Sequence, residues 1–400
     1  MNKNKLFSAL SFILIVFFFL FFLIILEYYL KITYYKIRKE AHLKELIRRE
    51  KDINLYKDAI NQGYESIYFP YLYETHYSEL KKKINLNIIP INSKPYAKNY
   101  YCNEGYGLIK YTSDRFGFRN NDDIWKIDKK KNKILLVGDS FVHGACLKTE
   151  STIATFIEKT NYQMGGGDGV GSKKSINNKL VFNVALGGND PFIYASLINL
   201  FSPIVEPDYI VVVFYANDKN YKKNSIFLRN LKQNLYKDYF SNNYLSQEVN
   251  DLIDHSIPLL KKITLEQEKA LAPSLFTKIK NFLNFNHTKS IIDNTYHKFL
   301  KKIPFSSKLT IDKAIENCKI YNCKPIIVYI PNSKYWRPDT YSDAFADSLN
   351  FYTIQNNINF IDMRKYFSNF EENKLYAKYG PHLSPFGSKL VAKKIADLIK

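Results

Sequence analysis

The chain has 400 residues, 46% of them hydrophobic, with 32 tyrosines and 29 phenylalanines, which excludes a disordered chain and leaves ample material for a large core. Its net charge of +20 is carried mostly by lysines scattered along the sequence, the pattern of a solvated surface. No aromatic-basic signature of a nucleic-acid-binding module is present, so no nucleic-acid partner is expected; a basic face toward anionic lipid or an acidic glycan stays open.

Residues 1–5 are a short polar tail, and from Leu6 to Leu26 there is no charged residue. At about 1.5 Å per residue, a helix of that length crosses a hydrocarbon core of roughly 30 Å. Tyr28 and Tyr29 follow as interfacial aromatics, then Lys31. The run is too long for the core of a cleaved signal peptide and no small-residue cleavage site follows it, so residues 6–30 read as a single-pass membrane anchor. Lys31, Lys36, Arg38, Lys39, Lys44, Arg48 and Arg49 behind the anchor outnumber Lys3 and Lys5 ahead of it. Counted alone, that asymmetry puts the large domain in the cytoplasm, although large domains translocate largely regardless of charge.

Residues 31–130 come next. Leu43, Leu46 and Ile47, then Ile53, Leu55 and Tyr56, have helical spacing and predict a stalk helix over 34–62. From Tyr64 the chain turns aromatic and turn-rich, with short strands and a glycine turn expected around 100–111 and 114–120. Arg115 and Arg119 read as packing and surface arginines, with an anionic ligand as the alternative. The four cysteines, Cys102, Cys146, Cys318 and Cys323, lack the spacing and histidine partners of a zinc site. Disulfides are permitted outside the cytoplasm. Cys318 and Cys323 sit where a bridge is feasible, and free buried thiols are the equal alternative.

From residue 131 strand and helix patterns alternate. Ile134–Val137 is a short apolar run, as expected of a strand buried on both faces, and it ends in Gly138-Asp139-Ser140. Thr149 is expected to cap a helix to Lys159. The glycine-rich stretch 164–174 lacks the lysine and hydroxyl residue of a phosphate-binding loop and reads as a flexible insertion. Leu180–Ala185 and Tyr209–Tyr215 are the second and third strands. Residues 219–305 are rich in lysine and asparagine, helical in period and free of strand runs, so a helical insertion is expected there. Lys308–Cys318 is a helix, and Pro325–Ile330 a fourth strand with its proline tolerated at the first position. Asn359–Met363 is the fifth. Ser384 and Pro385 are an N-cap and first residue for a closing helix whose buried face is Leu390, Val391, Ile395, Leu398 and Ile399. Strands separated by helices predict an α/β domain over 131–400: three layers, doubly wound, with a mostly parallel five-stranded sheet.

Four strand or helix ends carry groups with chemical potential. Ser140 stands where open α/β sheets place their ligand crevices, although Gly-Asp-Ser by itself is also an ordinary strand-to-helix turn. An acyl-transferring serine needs a base and donors for an oxyanion. Gly188, in Gly187-Gly188-Asn189-Asp190, offers an unobstructed N–H, and Asn217, after the third strand, a side-chain amide. His382 precedes the closing helix, at the positive end of its dipole, which favours a neutral ring able to accept a proton. Asp139, His143 and Asn189 are candidate pocket or supporting residues; His143, three positions past Ser140, is expected to line the pocket or pack rather than act as a base.

Together these stations resemble the SGNH (GDSL-type) hydrolase superfamily over about residues 131–400. The resemblance implies Ser140 as nucleophile, His382 as base, and an oxyanion hole from the Ser140 and Gly188 N–H groups and the Asn217 amide. Ala185 replaces the inner glycine of the family's second block. Tyr215 stands where the third block has its glycine, whereas 187–190 match that block literally; position after the third strand favours Asn217 over Asn189. The family's aspartate three residues before the histidine is Tyr379 here, so a main-chain carbonyl or a remote aspartate is expected to orient the ring, leaving a Ser–His dyad. The resemblance also implies an extracytoplasmic domain. It implies an esterase acting on O-acyl or acetyl groups of envelope glycans or lipids, with no metal or organic cofactor. An O-acyltransferase working on a surface polysaccharide, with unidentified partners, and a non-catalytic glycan-binding scaffold are the rival readings.

Overall fold

Five short runs of β-branched and aliphatic residues form the centre of the molecule. In a computed structural model of the chain they are β1 (Asn132–Val137), β2 (Lys179–Asn183), β3 (Tyr209–Tyr215), β4 (Lys324–Ile330) and β5 (Asn359–Asp362), joined in the order β5-β4-β3-β1-β2 with every pairing parallel. The structure describes residues 3–127, 131–160, 179–219, 225–233, 236, 238–269, 285, 288, 292, 302–335 and 342–399. Every residue of β3, the central strand, is buried, as expected of a strand covered on both faces.

Three helices complete the alternation up to the third strand: α2 (Ser140–His143), α3 (Ile153–Lys159) and α4 (Pro191–Val205). After it come α5 (Phe305–Tyr321), α6 (Ser342–Gln355) and α7 (Pro385–Ala396). The sheet grows from β1 outward to β2, then returns across β1 to β3, β4 and β5. With right-handed crossovers, α3 falls on one face and α4, α5 and α6 on the other. The packing agrees: α4 lies against α5, and α7 returns to lie beside α3. The order reverses between β1 and β3, so the crevice of such a sheet opens at the C-terminal end of β1. Ser140 is there.

The predicted elements differ from the observed ones in detail. The segment after Thr149 begins as a single 3₁₀ turn, and the α-helix is capped one turn later by the Thr152 hydroxyl. Pro325 is the second residue of β4; pairing with β5 begins only at Ile326, so the missing N–H costs no bond on that side. Within the expected helical insertion, Ile226–Lys232 and Gln247–Lys269 are helical, but Phe240–Ser241 and Tyr244–Leu245 form a small antiparallel hairpin. Asn242 and Asn243, both at positive φ, make that turn, a signal that periodicity overlooks. The glycine-rich stretch 164–174 lies outside the described residues.

The anchor and stalk are one helix, α1 (Lys3–Asn61), containing a stretch, Leu10–Thr33, long and apolar enough to cross a membrane. Glu27, the acidic residue of that stretch, is buried and accepts hydrogen bonds from the backbone N–H and hydroxyl of Thr288 in the insertion.

Residues 64–127 pack into the same core as the sheet. Phe116 and Trp125 meet edge-to-face at 4.5 Å, and Trp125 lies 5.1 Å from Phe182 of β2. Asp114 organises this segment: its carboxylate accepts from the backbone N–H of Phe116 and Phe118, the amide of Asn120 and the indole of Trp125. Burial pushes its pKa up to about 6 against the pull of these donors. Both arginines of this stretch are structural. Arg115 pairs with Asp122 at 2.8 Å, and buried Arg119 donates to the carbonyls of Gly144 and Leu147. All four cysteines are bridged, Cys102 to Cys146 and Cys318 to Cys323. That overturns free thiols, and the first bridge ties the aromatic segment to the loop behind Ser140.

Candidate active site

At the C-terminal end of β1 the Asp139 carboxylate caps α2, accepting from the Phe141 N–H at 2.9 Å. The cap sets the backbone so that Ser140 is the first helical residue. Gly138 is required by packing: a Cβ there would lie 2.4 Å from Cγ2 of Val142. Behind the turn, Asp218 accepts from the Tyr194 hydroxyl and the Tyr215 N–H. Burial and then the nearby Asp139 raise its pKa well above the ordinary carboxylate value.

His382 comes from the turn before α7, whose N-cap Ser384 accepts from the Gly387 N–H. Its Nε2 lies 3.0 Å from the Ser140 Oγ. The other ring nitrogen, Nδ1, lies 2.8 Å from Oε1 of Glu104, whose second oxygen accepts from the His382 backbone N–H at 3.1 Å. A hydroxyl, an imidazole and a carboxylate are thus connected in series. The expectation of a dyad is corrected: the acid exists, and it is a glutamate from the aromatic segment, 278 residues before the histidine. The third position before His382 is Tyr379, whose backbone N–H donates to the Glu104 carbonyl.

Sequence reasoning missed Glu104 because nothing local marks it among 38 acidic residues. The disulfide was the available signal. Pairing Cys102 with Cys146 carries the residue two positions further on to within reach of the Ser140 turn. The Cys146 sulfur also lies close to the Glu104 and His382 ligand atoms, but it is consumed in that disulfide.

The other predicted groups fall as follows. Gly188, at the end of β2's loop, has φ +75 and is exposed; a Cβ there would meet the Tyr71 ring at 2.3 Å. Both the left-handed backbone and the ring above it favour glycine there. Asn217 follows β3 and is exposed, on the strand adjoining β1 and at the same sheet edge as Ser140. Asn189 is buried, and neither atom of its amide group has a hydrogen-bond partner among the described residues.

His143 is fully buried, with Nε2 2.9 Å from the Tyr111 hydroxyl and its ring stacked on Tyr101 at 5.1 Å. Burial, then the Arg119 charge, then His382, depress its pKa well below the ordinary 6.5. It therefore stays neutral in the folded chain. Because the folded-state pKa is depressed, stability is complete above about pH 6.5. It is lost as pH falls, since the unfolded chain takes up a proton that the folded one refuses. In urea denaturation from pH 7.5 to 5, the stability difference between the native protein and His143→Gln, which keeps an acceptor for Tyr111, is expected to shrink with a slope approaching about 1.4 kcal/mol per unit; the raised carboxylates of Asp114 and Asp218, which act with the opposite sign, are common to both and cancel.

No protein-family model matches the chain, and no curated protein does. Among solved structures, TesA aligns over 67% of this chain and 98% of its own at 10% identity, with a TM-score of 0.38. A lipolytic protein of the G-D-S-L family from Veillonella parvula aligns over 67% and 97% at 14% identity, with a TM-score of 0.35. The psychrotrophic esterase EstA from Pseudoalteromonas aligns over 67% and 97% at 11% identity, with a TM-score of 0.33.

Proposed function

We propose that the chain is a membrane-anchored serine hydrolase of the SGNH (GDSL) type that cleaves O-acyl esters of cell-envelope glycans or lipids. One observation carries the reading: the unbroken relay from the Ser140 hydroxyl through His382 to the Glu104 carboxylate, at 3.0 and 2.8 Å. A scaffold that had lost its chemistry has no use for a half-buried serine and histidine and a buried glutamate in hydrogen-bonded series.

In the reaction the Ser140 Oγ attacks the ester carbonyl carbon while its proton passes to Nε2 of His382. Glu104, accepting from Nδ1–H, fixes the tautomer and stabilises the imidazolium. The oxyanion of the tetrahedral intermediate takes hydrogen bonds from the Ser140 and Gly188 N–H groups and the Asn217 amide. The leaving alcohol collects the proton from Nε2, and an acyl-serine remains. Water, activated by the same histidine, then releases the acid; a sugar hydroxyl in its place makes the enzyme an acyltransferase. The domain works outside the cytoplasm, and two disulfides, at home in an oxidising compartment, support that side.

The test is covalent. A fluorophosphonate probe is expected to label the folded protein, with the adduct mapping by mass spectrometry to the peptide containing Ser140. Folded protein that resists the probe would overturn the reading. Acetate release from an acetylated glycan, measured with and without a second glycan as acceptor, separates hydrolysis from transfer.

A further inference from the structure

The acid of the relay does not belong to the sheet. It sits on the loop between Lys98–Tyr100 and Lys110–Thr112, two short paired strands of the aromatic segment. The loop closes on itself through Asn103, whose Oδ1 accepts from the N–H groups of Gly105 at 2.9 Å and Gly107 at 3.1 Å. The other side of the same amide faces the stalk: Nδ2 donates to Oδ1 of Asp52 in α1 at 2.9 Å. Arg48, one turn earlier, donates to the Asn103 carbonyl. Tyr56, one turn later, lies 5.6 Å from Tyr100. Residues 48, 52 and 56 form one stripe of the helix, and that stripe meets the acid loop. Asp52 is only 3% exposed. A carboxylate so buried is costly unless its interactions repay the desolvation, and removing its partner is costlier still.

We propose that the stalk is a structural member of the active site: Asp52 and Arg48, acting through Asn103, hold Glu104 at the height and orientation that His382 requires. They are positioning residues, since neither touches the reacting atoms. The inference rests on the Ser140–His382–Glu104 reading. It goes beyond it by making the membrane-proximal helix a condition for turnover.

A double-mutant cycle on the full-length protein in detergent micelles tests it. Asn103→Asp keeps the acceptor for Gly105 and Gly107 but sets a carboxylate against Asp52. It is expected to lower kcat about 100-fold, the scale of an ångström's misplacement, with KM within about twofold. The reversed pair Asp52→Asn/Asn103→Asp restores a donor opposite an acceptor and should recover most of the loss. In a Glu104→Gln background Asn103→Asp should cost nothing further, because it acts through the group already removed. A purely structural role would lower activity in both backgrounds alike. Equal effects in the two backgrounds, or no effect in the otherwise native one, overturn the proposal. If Asn103→Asp fails to fold, Asp52→Ala, which leaves the loop's own closure intact, is read in the same cycle. An active native enzyme indifferent to these changes sinks the stalk's role alone, whereas a native protein no more active than Ser140→Ala sinks the hydrolase reading.

Discussion

Ser140→Ala is expected to lower turnover of an unactivated ester by about 10⁶-fold, with the apparent KM changed little. The Oγ lies 3.0 Å from Nε2 of His382, so the alanine variant keeps the rest of the proposed site but has no atom to attack with. The residual rate should be that of donors and binding alone. Stability should barely move, because the capping interaction at this turn belongs to the Asp139 side chain and the Phe141 N–H. Steady-state kinetics with acetate detection and a thermal melt check both halves. A kcat within tenfold of the native value would dismiss the serine.

Glu104→Gln is expected to cost about 10³- to 10⁴-fold in kcat, with KM nearly unchanged. Both carboxylate oxygens face N–H donors, Nδ1–H at 2.8 Å and the His382 backbone N–H at 3.1 Å. A glutamine has one acceptor and one donor for those two places. If its oxygen serves the backbone, its NH₂ group faces Nδ1, which must then be the bare nitrogen. The proton moves to Nε2, and the ring presents a donor to Ser140 where an acceptor is required. Neither amide orientation satisfies both donors, so the base is lost without any change of shape. Kinetics across substrate concentration test the split, and imidazole ¹⁵N shifts report the tautomer. The carboxylate also has no room to be replaced from the histidine's own turn. A Cβ at Gly380 would lie 1.9 Å from Cδ of Glu104, so that glycine exists to admit the acid from elsewhere.

The sheet and two of the three relay members were legible because their signals are local. β1 ends in a polar turn beside a glycine, β3 is seven consecutive apolar residues, and Ser384-Pro385 announces a helix start just after His382. Each can be read within a window of about a dozen residues. Glu104 was invisible for the opposite reason. Its role depends on a contact across 278 positions, and the residue type alone is among the commonest on a protein surface. The hairpin at 240–245 escaped for a third reason, since two-residue strands are too short for an alternating pattern to register. The two asparagines singled out in the sequence differ in exposure: Asn217 is exposed after β3, whereas Asn189 is buried.

The single helix from Lys3 to Asn61 sets a working altitude. With Leu10–Thr33 seated in a bilayer, the nineteen residues from Thr33 to Asp52 amount to about 28 Å of rigid rod. A tilt of roughly 20° takes only a couple of ångströms from that clearance. Asp52 grips the loop next to Glu104 at the far end of that rod, while Thr288, bonded to Glu27 inside the apolar stretch, draws the insertion down to the lipid, so the chain is pinned to its own anchor at both heights.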